Sequence, residues 1–307
     1  MHPAFSVIFF TTLSGLGYGL WIWSGGGLLL GRGAHGSMML LAPFALGVLP
    51  VAAGLLSSTL HLGKPLRAWR AFSQWRSSWL SREGVLAVAA FLPWAFVLWP
   101  AASDAVVPIW SLQLALAATV LLSLATVACT AMIYASLVPV PAWRHWAVVP
   151  AYLGFALLTG GLATIAWQLR TDTPPIAVMA ALPLMALAMG ALKWRYWRDI
   201  DRAPLPVDRA SALGLAPGRE ARVFERPHTE ANYLTREMGF VLARKHSRRL
   251  RIIALALFAA LPVLIAMWCV WIPGVMVIYF MPTELQFPVA SLILVFWILI
   301  FKFVRKG

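Results

Sequence analysis

The chain has few charged residues and few cysteines, and its long apolar segments lack both charge and histidine. Only 12% of its 307 residues are Asp, Glu, Lys or Arg, and two are cysteines. Two cysteines cannot supply the four thiolates of an iron–sulfur cluster. All six histidines lie outside or at the edges of the apolar segments, so the facing pair that holds a b-type haem inside a helix bundle is missing. The sequence therefore predicts no haem, no iron–sulfur cluster and no other metal site in this chain.

Motifs for nucleotide and hydrolytic chemistry are missing as well. The sequence has no phosphate-cradling Gly-Lys-Ser/Thr loop, no His-Glu-x-x-His and no serine elbow. The isoelectric point near 10.9 is not accompanied by an aromatic-rich soluble module, so no nucleic-acid partner is predicted. If the protein handles electrons, a partner must bring them.

Eight long apolar segments dominate the chain instead. They cover residues 5–30, 38–60, 84–99, 107–136, 146–169, 176–192, 252–272 and 287–301. Most reach the roughly 20 residues that a helix needs to cross the hydrocarbon, and the short third, sixth and eighth are expected to borrow flanking residues. Lipid offers no partner for backbone amides, so each segment must cross as a helix. The sequence predicts an all-α integral membrane protein, with residues 1–307 forming a single polytopic domain of eight transmembrane helices. Small-residue runs at 25–27 and 159–161 are expected to let these helices pack closely.

Basic residues are concentrated on one side of this predicted bundle. The connections after the second, fourth and sixth segments, together with the C-terminal end, hold 23 of the 25 Lys and Arg residues. Only Arg32 and Arg170 lie on the other side. Because Lys and Arg stay on the side where the chain was made, both termini and the long basic loop 193–251 are predicted to be cytoplasmic. This places a multi-pass protein in a bacterial cytoplasmic (inner) membrane, with its basic helix ends near lipid headgroups.

The connection between the second and third segments carries the densest polar chemistry. Residues 57–69 read Ser-Ser-Thr-Leu-His-Leu-Gly-Lys-Pro-Leu-Arg-Ala-Trp, and Glu83 stands at the start of the next segment. The His61 imidazole can hydrogen-bond a carbonyl and exchange a proton near neutral pH, Trp69 can stack on a ring, and Glu83 can relay the proton. These properties suit a quinone head group.

A structural interpretation of the same residues stays open. His61 can cap the negative end of a helix, and Glu83 can complement the positive end of the next one. Lys64 and Arg67 can bind lipid phosphate.

The stretch 57–69 also resembles the membrane anchor subunit family of dimethyl sulfoxide reductases and related molybdenum enzymes. In that family Ser-Thr-Leu-His-Leu-Gly-x-Pro-x-Arg-Ala, followed by an acid at the next helix, is characteristic; the resemblance spans nearly the whole chain and includes Met-Ile-Tyr-Ala-Ser at 132–136. It implies a metal-free anchor that binds a quinone (ubiquinone or menaquinone) and holds an iron–sulfur (ferredoxin-like) subunit and a molybdopterin catalytic subunit at the membrane. The quinone-site residues assigned on these grounds are His61, Gly63, Lys64, Arg67, Trp69, Glu83 and Tyr134.

One departure from the family pattern bears on the substrate. Dimethyl sulfoxide reductase catalytic subunits are exported, whereas the basic side that bears the motif is predicted to be cytoplasmic here. Residues 229–240 resemble the anchor of a sulfite-oxidising, sulfite:quinone branch, which implies electron flow from cytoplasmic sulfite to the quinone pool. The alternative is the anchor of a reductase of dimethyl sulfoxide, other S- or N-oxides or sulfur compounds. A secondary transporter is a third hypothesis, but the uncharged segments and the lack of an internal repeat weigh against it.

The loop 193–251 contains a candidate docking element. Its residues Leu234, Met238, Val241 and Leu242 fall at i, i+4, i+7 and i+8, so one face of a predicted helix is apolar and its flank is basic. Such a helix can dock the iron–sulfur subunit or lie on the membrane surface bound to lipid. The basic residues assigned to partner docking are Arg70, Arg76, Arg236, Arg244 and Lys245.

Overall fold

The computed structural model describes residues 3–31, 36–59, 64–103, 105–138, 140–169, 176–203, 209–216, 218–222, 224 and 245–264. Within these ranges every regular element is helical, which confirms the predicted all-α class. The elements are α1 (Pro3–Leu29), α2 (Gly36–Leu46), α3 (Val48–Thr59), a 3₁₀ helix (Pro65–Gln74), α4 (Trp79–Ser103), α5 (Ile109–Ala135), α6 (Val148–Gln168), α7 (Ile176–Arg202), α8 (Arg209–Ala212) and α9 (Ser247–Leu255), which continues as a π-helical stretch (Ala256–Ala260).

Six spans are long and apolar enough to cross a membrane: α1, the α2–α3 pair, α4, α5, α6 and α7. They confirm the first six predicted segments. Helices α4 and α7 reach 25 and 27 residues by extending beyond the short segments predicted for them. The seventh segment is described only as far as residue 264, and the eighth lies outside the described residues. The count of eight spans and the cytoplasmic placement of both termini therefore remain predictions.

The second span is broken at Gly47, between Pro43 and Pro50. A proline has no N–H to donate to the carbonyl four residues earlier, so a proline in mid-span leaves a backbone acceptor without its helical partner. The carbonyls that lose this partner are those of Met39 and Leu46. The Trp94 indole on α4 contacts the same break from a neighbouring helix, where it donates a hydrogen bond of 3.0 Å to the Phe44 carbonyl near the end of α2.

Helix α1 packs against α3, α5 and α6, and it meets α6 at two glycines. A Cβ atom on Gly19 would lie 2.0 Å from the carbonyl oxygen of Ala156, and one on Gly160 would lie 2.1 Å from the carbonyl carbon of Gly19. Backbones approach this closely only where side chains are absent. The predicted packing role of the small-residue run 159–161 is confirmed.

The basic loop predicted at 193–251 is flanked by longer helices than expected. Helix α7 continues to Arg202, and α9 begins at Ser247. The Arg251 guanidinium donates to both carboxylate oxygens of Asp201, at 2.5 and 3.0 Å, which ties the end of α7 to α9. The amphipathic helix predicted around residues 234–242 lies outside the described residues.

Candidate functional site

Helix α4 begins at Trp79, five residues before the predicted segment, so Arg82 and Glu83 belong to the membrane-spanning helix. Arg82 stays at the surface end, where its guanidinium donates to the carbonyls of Trp75 and Arg76 at 3.0 and 2.6 Å. Glu83 is buried, with only 4% of its surface exposed. The prediction of an uncharged core is therefore wrong at this position. The helix can begin before the apolar segment because the Arg82 guanidinium forms hydrogen bonds with backbone carbonyls at the surface.

The 3₁₀ helix packs against the first turn of α4 and is hydrogen-bonded to it. The Ser81 hydroxyl donates to the Ala71 carbonyl. The Phe72 ring lies so close to Gly84 that a Cβ there would sit 2.8 Å from it. These contacts fix the rotation of α4 about its axis and so direct Glu83 into the bundle.

Glu83 lies on the buried face of α4, one and two turns before Ala87 and Ala90. The small alanines let this helix pack closely on α5. From α5 the Thr130 hydroxyl donates a hydrogen bond to Oε1 of Glu83. A carboxyl group inside a membrane span is costly and is retained mainly for function. Glu83 is thus the central residue of the candidate site.

Four buried hydroxyls share one face of α5: Thr119, Ser123, Thr126 and Thr130. The first three donate to the carbonyl four residues earlier, at 2.7–2.9 Å. Thr130 has two acceptors within reach, the Glu83 carboxylate and the Thr126 carbonyl at 3.0 Å. A hydroxyl carries a single proton, so it donates to one of them at a time.

A cluster of aromatic residues from α1 and α4 reaches the site at Tyr18. Tyr18 is 1% exposed, its hydroxyl approaches Thr126, and it lies within electrostatic range of Glu83. The Tyr18 ring meets Trp21 edge-on at 5.7 Å, and Trp21 stacks on Trp94 at 5.7 Å.

A cavity of about 40 Å³ adjoins Thr130 where α1, α5 and α6 meet. This volume has room for about three water molecules. Hydroxyl groups dominate its polar lining, which comprises Thr11, Thr12, Ser14, Thr130, Tyr152 and Thr159. Tyr152 in turn stacks on Tyr134, with ring centroids 5.8 Å apart and planes at 23°. The cavity therefore links the candidate Tyr134 to the partner of Glu83.

Of the other sequence-predicted quinone residues, the structure describes three near the membrane surface, and none of these three is buried with Glu83. Lys64, Arg67 and Trp69 are exposed around the 3₁₀ helix, and Trp69 has 66% of its surface free. His61 and Gly63 lie outside the described residues.

The structure describes some of the residues assigned to partner docking and not others. Arg70, Arg76 and Lys245 are exposed, and Arg236 and Arg244 lie outside the described residues. Arg70 and Arg76 each pack over a neighbouring exposed tryptophan, at 5.7 and 5.5 Å from the ring centroid. Over the part of the chain that the structure describes, no three His, Cys, Asp or Glu side chains come together as metal ligands.

The comparison with known families decides what kind of protein this is. The family described as DMSO reductase anchor subunit (DmsC) matches residues 1–302. The chain belongs to this family. A protein of Allochromatium vinosum that is named as a sulfite dehydrogenase subunit is 30% identical over 283 residues, which cover 86% of each chain. No solved structure matches.

As a DMSO reductase-type anchor, the chain is a multi-pass membrane subunit of an oxidoreductase complex. The resemblance predicted from residues 57–69 is confirmed, and the family favours an anchor over a secondary transporter. Sequence reasoning missed Thr130 and Tyr18. Thr130 precedes the candidate Tyr134 by four residues, so helical periodicity puts the two on one face of α5, but it does not report the contact of Thr130 with Glu83.

Proposed function

We propose that this chain is the quinone-binding anchor of a heterotrimeric molybdopterin/iron–sulfur oxidoreductase, and that it passes electrons from cytoplasmic sulfite oxidation to the quinone pool. The observation that carries the proposal is Glu83, a buried carboxyl inside a membrane span with a hydrogen-bond donor at Thr130 and a hydroxyl-lined cavity beside it. Family membership supports the anchor role. The name of the Allochromatium vinosum relative supports sulfite as the electron source.

Each residue of the site has a role in this proposal. A quinone head takes up two electrons and two protons when it is reduced. Glu83 holds one of these protons inside the bundle, and His61 provides a hydrogen bond and the second proton from the membrane surface. Tyr134 extends an aromatic surface next to the cavity. Gly63, Lys64, Arg67 and Trp69 line the entrance at the lipid headgroups, which accords with the exposure of the last three.

Partner subunits are proposed to bind the basic face. The 3₁₀ helix presents exposed apolar and basic side chains together, with Leu66 92% and Trp75 52% exposed beside Arg70 and Arg76. Arg and Trp are the residue types that dominate protein–protein contacts. An iron–sulfur subunit on this face would lie directly above α4 and Glu83, and it would carry the molybdopterin subunit on its far side.

The proposed orientation is testable with reporter fusions. Because 23 of the 25 basic residues lie on one side, a fluorescent protein fused after Gly307 should fluoresce, since it folds in the cytoplasm. Alkaline phosphatase inserted into the α4–α5 connection at residues 104–108 should be active, since it folds in the periplasm. A dark C-terminal fusion would contradict this orientation and the sulfite assignment that depends on it.

The substrate is testable with membranes that contain the full complex. Sulfite and water give sulfate, two protons and two electrons, which is what reduction of a quinone consumes. We therefore expect such membranes to reduce a quinone analogue when sulfite is added. Without this subunit, the soluble pair should oxidise sulfite only with an artificial acceptor. Quinol-driven reduction of dimethyl sulfoxide without sulfite-driven activity would instead select the reductase alternative.

A further inference from the structure

We infer that Thr130 and the adjoining hydroxyl-lined cavity form the route by which Glu83 exchanges protons with water. The inference rests on the proposed quinone function, because it concerns how the carboxyl at that site is reprotonated. It assigns a role to Thr130 as a positioning and relay residue, and it assigns water as the occupant of the cavity.

The polar part of the cavity wall consists of hydroxyl groups, and the rest of the lining, Gly15, Val127, Phe155 and Ala156, is apolar. The hydroxyls of Thr11, Thr12, Ser14 and Thr159 donate to carbonyls of their own helices, at 3.0, 2.7, 2.6 and 2.8 Å. Their protons are therefore engaged, and their oxygens still have lone pairs to offer. These oxygens can each accept a hydrogen bond from water, and they stabilise a protonated water better than donors would. About three waters fit.

Thr130 can satisfy Glu83 in both protonation states. When Glu83 is ionised, the Thr130 hydroxyl donates to its carboxylate. When Glu83 is protonated, the acid O–H can donate to Oγ1 of Thr130, and the Thr130 proton can turn to the Thr126 carbonyl at 3.0 Å. A buried polar group that loses its partner in one state resists entering that state. A rotation of one hydroxyl removes this obstacle.

The transfer is a concerted relay of protons without any movement of electrons. A protonated water in the cavity gives a proton to Oγ1 of Thr130, and the original Thr130 proton passes to Oε1 of Glu83. The water is left neutral, Thr130 is unchanged and Glu83 has become an acid. The groups that face Glu83 are suited to this, because a phenol (Tyr18) and a thiol (Cys129) are ordinarily uncharged near neutral pH and the Arg82 guanidinium donates to backbone carbonyls at the surface.

The position of the cavity shows from which side of the bundle the inferred route would begin. Tyr152 lines it near the start of α6, and Tyr152 stacks on Tyr134 near the end of α5. Tyr134 also meets Trp143, edge-on at 5.3 Å, in the connection between these two helices. The cavity therefore lies toward the basic side of the bundle, the same side as the 3₁₀ helix.

The test compares Thr130→Val, which removes the hydroxyl at nearly constant volume, with Thr130→Ser, which keeps it. With a quinone analogue we expect Thr130→Val to lower kcat of the assembled complex at least about tenfold, because proton transfer is slowed. KM should be unchanged. Heavy water should slow the turnover of this variant by a larger factor than it slows the turnover of the parent. Thr130→Ser should stay within about twofold of the parent. Activity with an artificial soluble acceptor should be the same in all variants.

The matched control is Thr164→Val, which removes an equally buried hydroxyl that donates to the Gly160 carbonyl at 2.8 Å on α6, away from the cavity lining. It should leave quinone-linked turnover unchanged. Thr130→Ala removes the hydroxyl without branching at Cβ and serves if the valine variant does not assemble. It is expected to show the same loss of kcat.

Three results would overturn the inference. Parental turnover in Thr130→Val or Thr130→Ala, with Glu83→Gln still defective, would show that Glu83 is reprotonated by another route, and the proposed function would stand. A raised KM with unchanged kcat would show that the cavity receives the quinone head itself. An equal defect in Thr130→Ser would show that Thr130 acts through packing. If Glu83→Gln also retains parental turnover, it is the proposed function of the site that fails.

Discussion

Glu83→Gln is expected to lower the quinone-linked turnover of the assembled complex by about a hundredfold, which is the usual contribution of a positioned acid or base. Glutamine has nearly the same shape, and its amide oxygen can still accept the Thr130 hydrogen bond. The fold and the docking of partner subunits should therefore survive. What glutamine cannot do is bind and release a proton. Sulfite oxidation with an artificial soluble acceptor, which bypasses this subunit, should keep its parental rate.

Glu220→Gln is the matched control for this change. It makes the same substitution at a carboxylate that is 83% exposed and lies near Arg222 outside the membrane spans. Its quinone-linked rate should equal that of the parent. If Glu83→Gln lowers both activities equally, Glu83 is needed for assembly and not for proton exchange.

Gly19→Ala is expected to destabilise the bundle by about 3 kcal/mol or more, which is at the upper end of overpacking effects. The added methyl would lie 2.0 Å from the Ala156 carbonyl oxygen and 2.9 Å from the Gly160 Cα. Backbone atoms cannot rotate away as a side chain can, so α1 and α6 must separate. Separation would also break the 2.8 Å hydrogen bond from the Trp23 indole to the Leu157 carbonyl. Thermal unfolding of the purified protein in detergent measures the effect.

Gly26→Ala provides the comparison within the same helix. A Cβ at Gly26 meets nothing within 4 Å, so this variant removes one glycine from α1 without a clash. It should unfold at the parental temperature or slightly above it, because alanine favours the helix. Equal destabilisation by both variants would contradict the packing explanation.

The spans themselves could be predicted from the sequence because hydrocarbon imposes length and polarity on each of them separately. The start of α4 could not. Ser81 and Arg82 belong to a polar stretch before the apolar segment, and a helical start there is favoured by their hydrogen bonds to the carbonyls of Ala71, Trp75 and Arg76. The break at Gly47 lies between Pro43 and Pro50, and the hydrogen bond beside it, from the Trp94 indole to the Phe44 carbonyl, joins two different helices.

The candidate site was predictable in part for a related reason. Glu83 was found because an acid near a helix end has recognisable chemistry, and Tyr134 because the run at 132–136 resembles the anchor family. Thr130 was missed because a threonine in a helix ordinarily bonds its own preceding turn, as Thr126 does. Its contact with Glu83 joins residues 47 positions apart, and no local pattern reports a contact of that range.

The close meeting of α1 and α6 has a consequence for how the protein is made. The Trp23 indole and its acceptor at Leu157 are separated by 134 positions, so α1 leaves the ribosome long before its principal neighbour exists. During that interval the first helix must persist in the bilayer beside α3 and then α5, with its glycine face still open to lipid. Helices that are individually stable in a bilayer can be inserted one at a time and associate later. The site around Glu83 and the cavity is therefore completed only once α6 has been inserted, late in the biogenesis of the described bundle.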